Sequence, residues 1–137
     1  MPASIKILRP LNISLSLIAV IISAYLIDAL NSPLLPHVCL IVFCFAGASN
    51  ILNDVLDIHI DEINQPNRVL PSRRIRVWNV LMLMSVLYAI GIISSTYLLP
   101  LGRNISLMLV LPLLVLYTPV FKKIPLVGNL VVGAILG

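Results

Sequence analysis

The strongest constraint in this sequence is a set of apolar runs too long and too free of charge to be folded away in water. Leu11 to Leu30 is mostly apolar, with Asp28 its one charged residue. At about 1.5 Å per residue a helix over it reaches about 30 Å, the thickness of a bilayer's hydrocarbon core. Leu34 to Leu52, Val77 to Leu99 and Asn104 to Val120 repeat the pattern, the last, shorter one carrying Pro112, which is expected to kink that helix unless neighbouring helices satisfy the freed carbonyl. A fifth run starts at Ile124, and a helix from there to Gly137 reaches only about 21 Å. The predicted fold is therefore all-α and transmembrane: a multi-helix bundle with about four complete spans and the start of a fifth, in a chain expected to be incomplete at its C-terminus. With 60% hydrophobic and 10% charged residues, against about 25% charged in soluble proteins, an ordinary soluble globule is excluded.

Charge placement predicts the orientation. Lys6 and Arg9 precede the first run, Arg68, Arg73, Arg74 and Arg76 follow the second, and Lys122 and Lys123 follow the fourth. Only Arg103 lies on the other side. Bases concentrate on cytoplasmic loops, so the N-terminus and the loop after the second span are expected there. The first run exceeds the ~7–15 residues of a signal-peptide core and lacks a small-x-small site after it, so it reads as an uncleaved span. Asn31-Ser32-Pro33 suits a tight turn at the opposite surface. Tyr25, Trp78, Tyr97 and Tyr117 fall near span ends, as interfacial aromatics do. The net charge of +4 thus reports membrane orientation, and with no aromatics interleaved among the bases it predicts no nucleic-acid partner. Cys39 and Cys44 show neither CxxC nor metal-site spacing and read as small packing residues.

Four of the five acids, Asp54, Asp57, Asp61 and Glu62, crowd the end of the second run. If the helix continues at 100° per residue, Asn50, Asp54, Asp57 and Asp61 fall within an arc of about 60°. Ile51, Leu52, Val55, Leu56, Ile58 and Ile60 keep the other faces apolar, so the polar stripe points into the protein or a wet cavity. Three carboxylates on one face repel one another unless a positive group sits among them. One reading is a solvated helix end paired with the arginines that follow. The other is a divalent cation: oxygen-only ligands select hard ions, and Mg²⁺ is commonly shared between one or two carboxylates and substrate phosphates. Carboxylate, Mg²⁺ and diphosphate, closed by arginine or lysine, is the chemistry that this second reading predicts.

The run Asn53-Asp54-x-x-Asp57-x-x-x-Asp61 resembles the first aspartate-rich motif of the UbiA superfamily of intramembrane prenyltransferases. Arg9-Pro10, Asn50, Asn64-Gln65-Pro66-Asn67-Arg68, Leu70-Pro71-Ser72 and Tyr117-Thr118-Pro119, followed by Lys122, Pro125, Gly128 and Asn129, also look like the family. Within it, Ile60 to Pro66 and Lys122 to Gly137 look most like the digeranylgeranylglyceryl phosphate synthase branch. Many relatives have proline and glycine where this chain has Val69 and Arg73, which predicts a changed backbone path and adds a positive charge. The family has about nine helices and a second aspartate-rich motif in its C-terminal half, whereas no acid follows Glu62 here. The chain therefore resembles the N-terminal half of such a domain.

The resemblance implies Mg²⁺ on Asp54, Asp57 and Asp61, bridging to the diphosphate of a polyprenyl donor. Arg68 and Lys122 are expected to contact the diphosphate, and Asn50 and Asn53 to orient carboxylates or acceptor, or else to bond between helices. The acceptor is a glycerol-phosphate lipid precursor, or an aromatic ring in the quinone or chlorophyll type. Tyr117 reads as an anchor, and neither His37 nor His59 as a catalytic base. Two other classes stay open: a transporter using intramembrane carboxylates, and a non-catalytic remnant or one half of a split enzyme with a missing C-terminal partner.

Overall fold

Proline opens three of the helical segments, as expected where a backbone N–H has no partner and φ is already set for the helix. In the computed structural model, which describes residues 3–117, the elements are α1 (Ala3–Lys6), α2 (Pro10–Leu26), α3 (Leu35–Leu56), α4 (Ile58–Asn64), α5 (Val77–Ser95), α6 (Pro100–Asn104), a π-helical turn (Ile105–Val110) and α7 (Leu111–Tyr117). Pro10, Pro36 and Pro100 stand in the first turns of α2, α3 and α6. The described residues contain helix and turn but no strand. Three helical stretches, Leu35–Leu56, Val77–Ser95 and Pro100–Tyr117, are long and apolar enough to cross a membrane. The fifth run lies outside the described residues.

Several boundaries differ from expectation: α3 runs past Leu52 to Leu56, and α5 stops at Ser95 rather than Leu99. The first helix stops at Leu26 instead of reaching Leu30, because Asp28 adopts a left-handed conformation at φ 55°. Its N–H donates to the Tyr25 carbonyl (3.1 Å), and the Ala29 N–H reaches the Ala24 carbonyl (2.7 Å). This paired closure satisfies carbonyls that would otherwise end unpaired, and aspartate here fills the place glycine usually takes. The fourth helix starts earlier than expected, at Pro100, which draws Arg103 into its first turns. Where Pro112 is expected to kink the helix, the chain forms a π-helical turn just before it. A wider turn relieves the clash between the proline ring and the carbonyl four residues back, that of Met108.

α3 is the central helix, packed against α2, α5 and α7. Its inward face, Cys44, Ala48 and Ile51, meets Val80 and Leu87 of α5, capped at one end by Ile7, Val69 and Leu70. Helices in lipid gain little from hydrophobic burial and depend on close packing instead. Gly91 of α5 provides it: a Cβ there would stand 2.6 Å from Phe45 Cδ1, so the bare backbone is what lets that ring seat. Leu11, Leu15, Ile18, Ile22 and Met108 remain exposed, an outer surface suited to hydrocarbon rather than water.

The N-terminal segment and the loop between α4 and α5 meet at one end of the helices. Asn50 donates through Nδ2 to the Leu8 carbonyl at 2.8 Å, tying that segment to α3. The opposite end is closed by His37 of α3, whose ring stacks on Tyr97 at 4.9 Å and lies 3.4 Å from the Ser94 hydroxyl. Seventeen residues of helix, about 25 Å, separate His37 from Asp54.

Candidate functional site

The acidic run is not one straight helix. α3 ends at Leu56 and Asp57 caps it at φ −91°, ψ 3°, after which α4 resumes at Ile58. The interruption is slight: the Asp57 N–H still bonds the Asn53 carbonyl (3.0 Å), and the Asp61 N–H bonds the Asp57 carbonyl (2.8 Å). Asp54 and Asp61, both buried, lie against the same guanidinium. Asp57 is half-buried beside them.

That guanidinium belongs to Arg68. Its Nη1 lies 2.6 Å from Asp61 Oδ2 and 3.6 Å from Asp54 Oδ1, while its Nε donates to Gln65 Oε1 at 2.7 Å. The turn holding it is closed by the Arg68 N–H on the Gln65 carbonyl (3.0 Å) and the Ser72 N–H on the Arg68 carbonyl (3.0 Å). A second cation completes the cluster: Arg9 forms a hydrogen-bonded ion pair with Asp54. Arg9 stands at φ 55° immediately before Pro10, a left-handed step that L-residues rarely take. Its role was not legible locally, because 45 residues separate it from Asp54; the signal was only the Arg9-Pro10 pair.

The sequence-selected residues thus sort as follows. Asp54, Asp61 and Arg68 come together, with Asp57 flanking them. Asn50 is engaged by the Leu8 backbone. Asn53 keeps its side-chain Oδ1 buried without a hydrogen-bond partner. Lys122 lies outside the described residues. His59 is almost fully exposed, 3.6 Å from Glu62, and stands apart from the cluster, as expected.

Both readings of the acids have a part in this geometry. The arginines neutralise Asp54 and Asp61, and among the described residues no group of three or more His, Cys, Asp and Glu is arranged to hold a metal by itself. A self-contained cage for three carboxylates is therefore absent there. The donor set nevertheless fits a hard cation shared with a phosphate: two carboxylates converge on one positive centre, and Asn53, the residue before Asp54, keeps its Oδ1 buried without a hydrogen-bond partner.

The sequence matches the UbiA prenyltransferase family over residues 13–137. The chain belongs to the UbiA prenyltransferase family. With its long apolar helices, that makes it an integral membrane protein. It is similar to digeranylgeranylglyceryl phosphate synthases: 34% identical over 134 residues to that of Methanosphaera stadtmanae, covering 97% of this chain and 48% of the relative. The synthase of Sulfurisphaera tokodaii is 44% identical over 94 residues, 69% of this chain and 34% of the relative. That of Methanosarcina mazei is 38% identical over 100 residues, 73% and 34%. The chain therefore spans from a third to about half the length of these UbiA relatives. No solved structure matches it.

Proposed function

We propose that this chain takes part in Mg²⁺-dependent transfer of a polyprenyl group from an allylic diphosphate to a glycerol-phosphate lipid acceptor. The observation that carries the reading is the convergence of buried Asp54 and Asp61 on Arg68, with Arg9 paired to the same oxygen of Asp54 that Arg68 approaches. Asp54 and Asp61, flanked by Asp57 and Asn53, would hold the cation, which when bound shields the diphosphate oxygens and stabilises the charge they gain as the allylic C–O bond breaks.

The chain's own groups do the rest. A diphosphate arriving at the carboxylates offers the arginines a better anion than the aspartates they hold. Arg68 and Arg9 then turn from carboxylate to phosphate, and the family resemblance assigns Lys122, outside the described residues, to the same diphosphate. Arg68 keeps Gln65 as a pivot during that exchange. The apolar faces of α2, α3 and α5 form a dry wall for the prenyl chain and exclude water that would quench an allylic cation. A second acidic motif, of the kind found in the family's C-terminal half, shares the diphosphate in this reading. The cluster and the N-terminus face the cytoplasm, as the distribution of bases favours.

The glycerol-phosphate acceptor is favoured over an aromatic ring by the names of the relatives above. The test is prenyl transfer by the full protein in nanodiscs, with a labelled allylic diphosphate and each acceptor class. Asp54→Asn and Asp61→Asn are each expected to lower kcat/KM by at least roughly 100-fold, and chelation of Mg²⁺ to abolish turnover. Transfer that persists in either variant would refute the assignment.

A further inference from the structure

Arg73, Arg74 and Arg76 follow the cluster but take no part in it. All three are exposed, and among the described residues none forms an ion pair with a carboxylate. The backbone around them is firmly built, with the Arg73 N–H on the Leu70 carbonyl (2.9 Å) and the Arg74 N–H on the Val69 carbonyl (3.2 Å). Arg73 itself is held at φ 53°, where glycine would sit without strain. The turn therefore displays a charge at a position that costs backbone energy.

Arg73 and Arg76 line a cavity of about 320 Å³, walled by Ile58, Leu70 and Val77 and with Glu62 on its rim. Neither Asp54, Asp61, Arg9 nor Arg68 contributes to it. Next along α5 lies an open apolar groove of about 250 Å³ formed by Trp78, Leu81, Met82 and Val86. Cationic head site, interfacial tryptophan and apolar groove follow one another along the first three turns of α5. That is the order of charge, interface and chain in a phospholipid.

We propose that this rim binds an anionic membrane phospholipid, its phosphate between Arg73 and Arg76 and one chain along the groove past Trp78 and Met82. Glu62 refines the choice. A carboxylate at the rim repels a second negative charge and accepts hydrogen bonds, so the site fits a phosphodiester whose head group carries donors, such as the hydroxyls of a glycerol head. Arg73 and Arg76 outnumber Glu62, so the cavity carries a net positive charge that a singly anionic lipid neutralises and a lipid of zero net charge leaves uncompensated.

Trp78 is the only tryptophan in the sequence, and at 69% exposure it reports on the groove directly. The experiment is quenching of its fluorescence in full-chain protein reconstituted with brominated phosphatidylglycerol or brominated phosphatidylcholine. The glycerol lipid is expected to quench at a lower mole fraction, with the preference falling roughly fivefold for each arginine removed in Arg73→Gly and Arg76→Gln. Arg74→Gln, outside the cavity, should leave the preference unchanged. Circular dichroism confirms that each variant is folded. Equal quenching by the two lipids in the parent, a preference that survives the Arg73→Gly/Arg76→Gln double variant, or no quenching by either because protein covers the groove, would each overturn the proposal.

Discussion

Arg9 and Asp54 form an ion pair across 45 residues, joining the step before α2 to the last turn of α3. Asp54 is buried, and Arg9 is only about one-third exposed, so the pair is more than a surface contact. Arg9→Ala leaves a buried carboxylate with Arg68 as its remaining cation at 3.6 Å. The expected loss is about 1–3 kcal/mol of stability, read as a lower unfolding midpoint in detergent. Arg9→Lys should recover part of it.

Asn50 offers a smaller and more local test. Removing its amide in Asn50→Ala deletes the hydrogen bond to the Leu8 carbonyl, at a cost of about 1 kcal/mol. Hydrogen exchange should rise over residues 3 to 9 while α5 stays protected. Unchanged exchange there would separate Asn50 from any structural role and leave it to the substrate.

Close approach of α3 and α5 predicts that Gly91→Ala is damaging far beyond its size. The added methyl enters the Phe45 ring and crowds Cys44 Cβ at 3.3 Å. Overpacking of this kind costs about 1–3 kcal/mol. Combining it with Phe45→Leu should recover much of the loss, measured by unfolding of both variants in the same detergent.

Arg73→Gly should act in the opposite direction on stability. Relief of the left-handed strain outweighs the extra freedom of glycine in the unfolded chain, with a net gain of up to about 1 kcal/mol. A midpoint that rises while phosphatidylglycerol selectivity falls would separate the two roles of this position.

Much of this architecture is written in local patterns. The apolar runs mark α3 and α5 because both are long and started by a proline or a base, although α3 continues past Leu52 to take in Asp54 and α5 stops short of Leu99. The acidic run marks its site because carboxylates beside a membrane need a positive partner. Other features depend on distance or on rare backbone states. Asp28 ends α2 through a left-handed turn normally signalled by glycine, and that hid the early stop. The interruption at Asp57, between α3 and α4, has no signal in a spacing that reads as one continuous helix. Arg9 reaches Asp54 through tertiary packing, for which no spacing rule exists. Pro112 announced a disturbance without saying that it would be a wider turn.

The central claim is that Asp54 helps a divalent cation hold a diphosphate at the end of α3. Its most direct test is calorimetric binding of a non-hydrolysable polyprenyl diphosphate analogue to the full protein, with and without Mg²⁺, in the parent and in Asp54→Asn. The account predicts binding that requires Mg²⁺ and is weakened at least about tenfold in Asp54→Asn, a difference of about 1.4 kcal/mol. Binding of equal strength without Mg²⁺, or undiminished in Asp54→Asn, would contradict it.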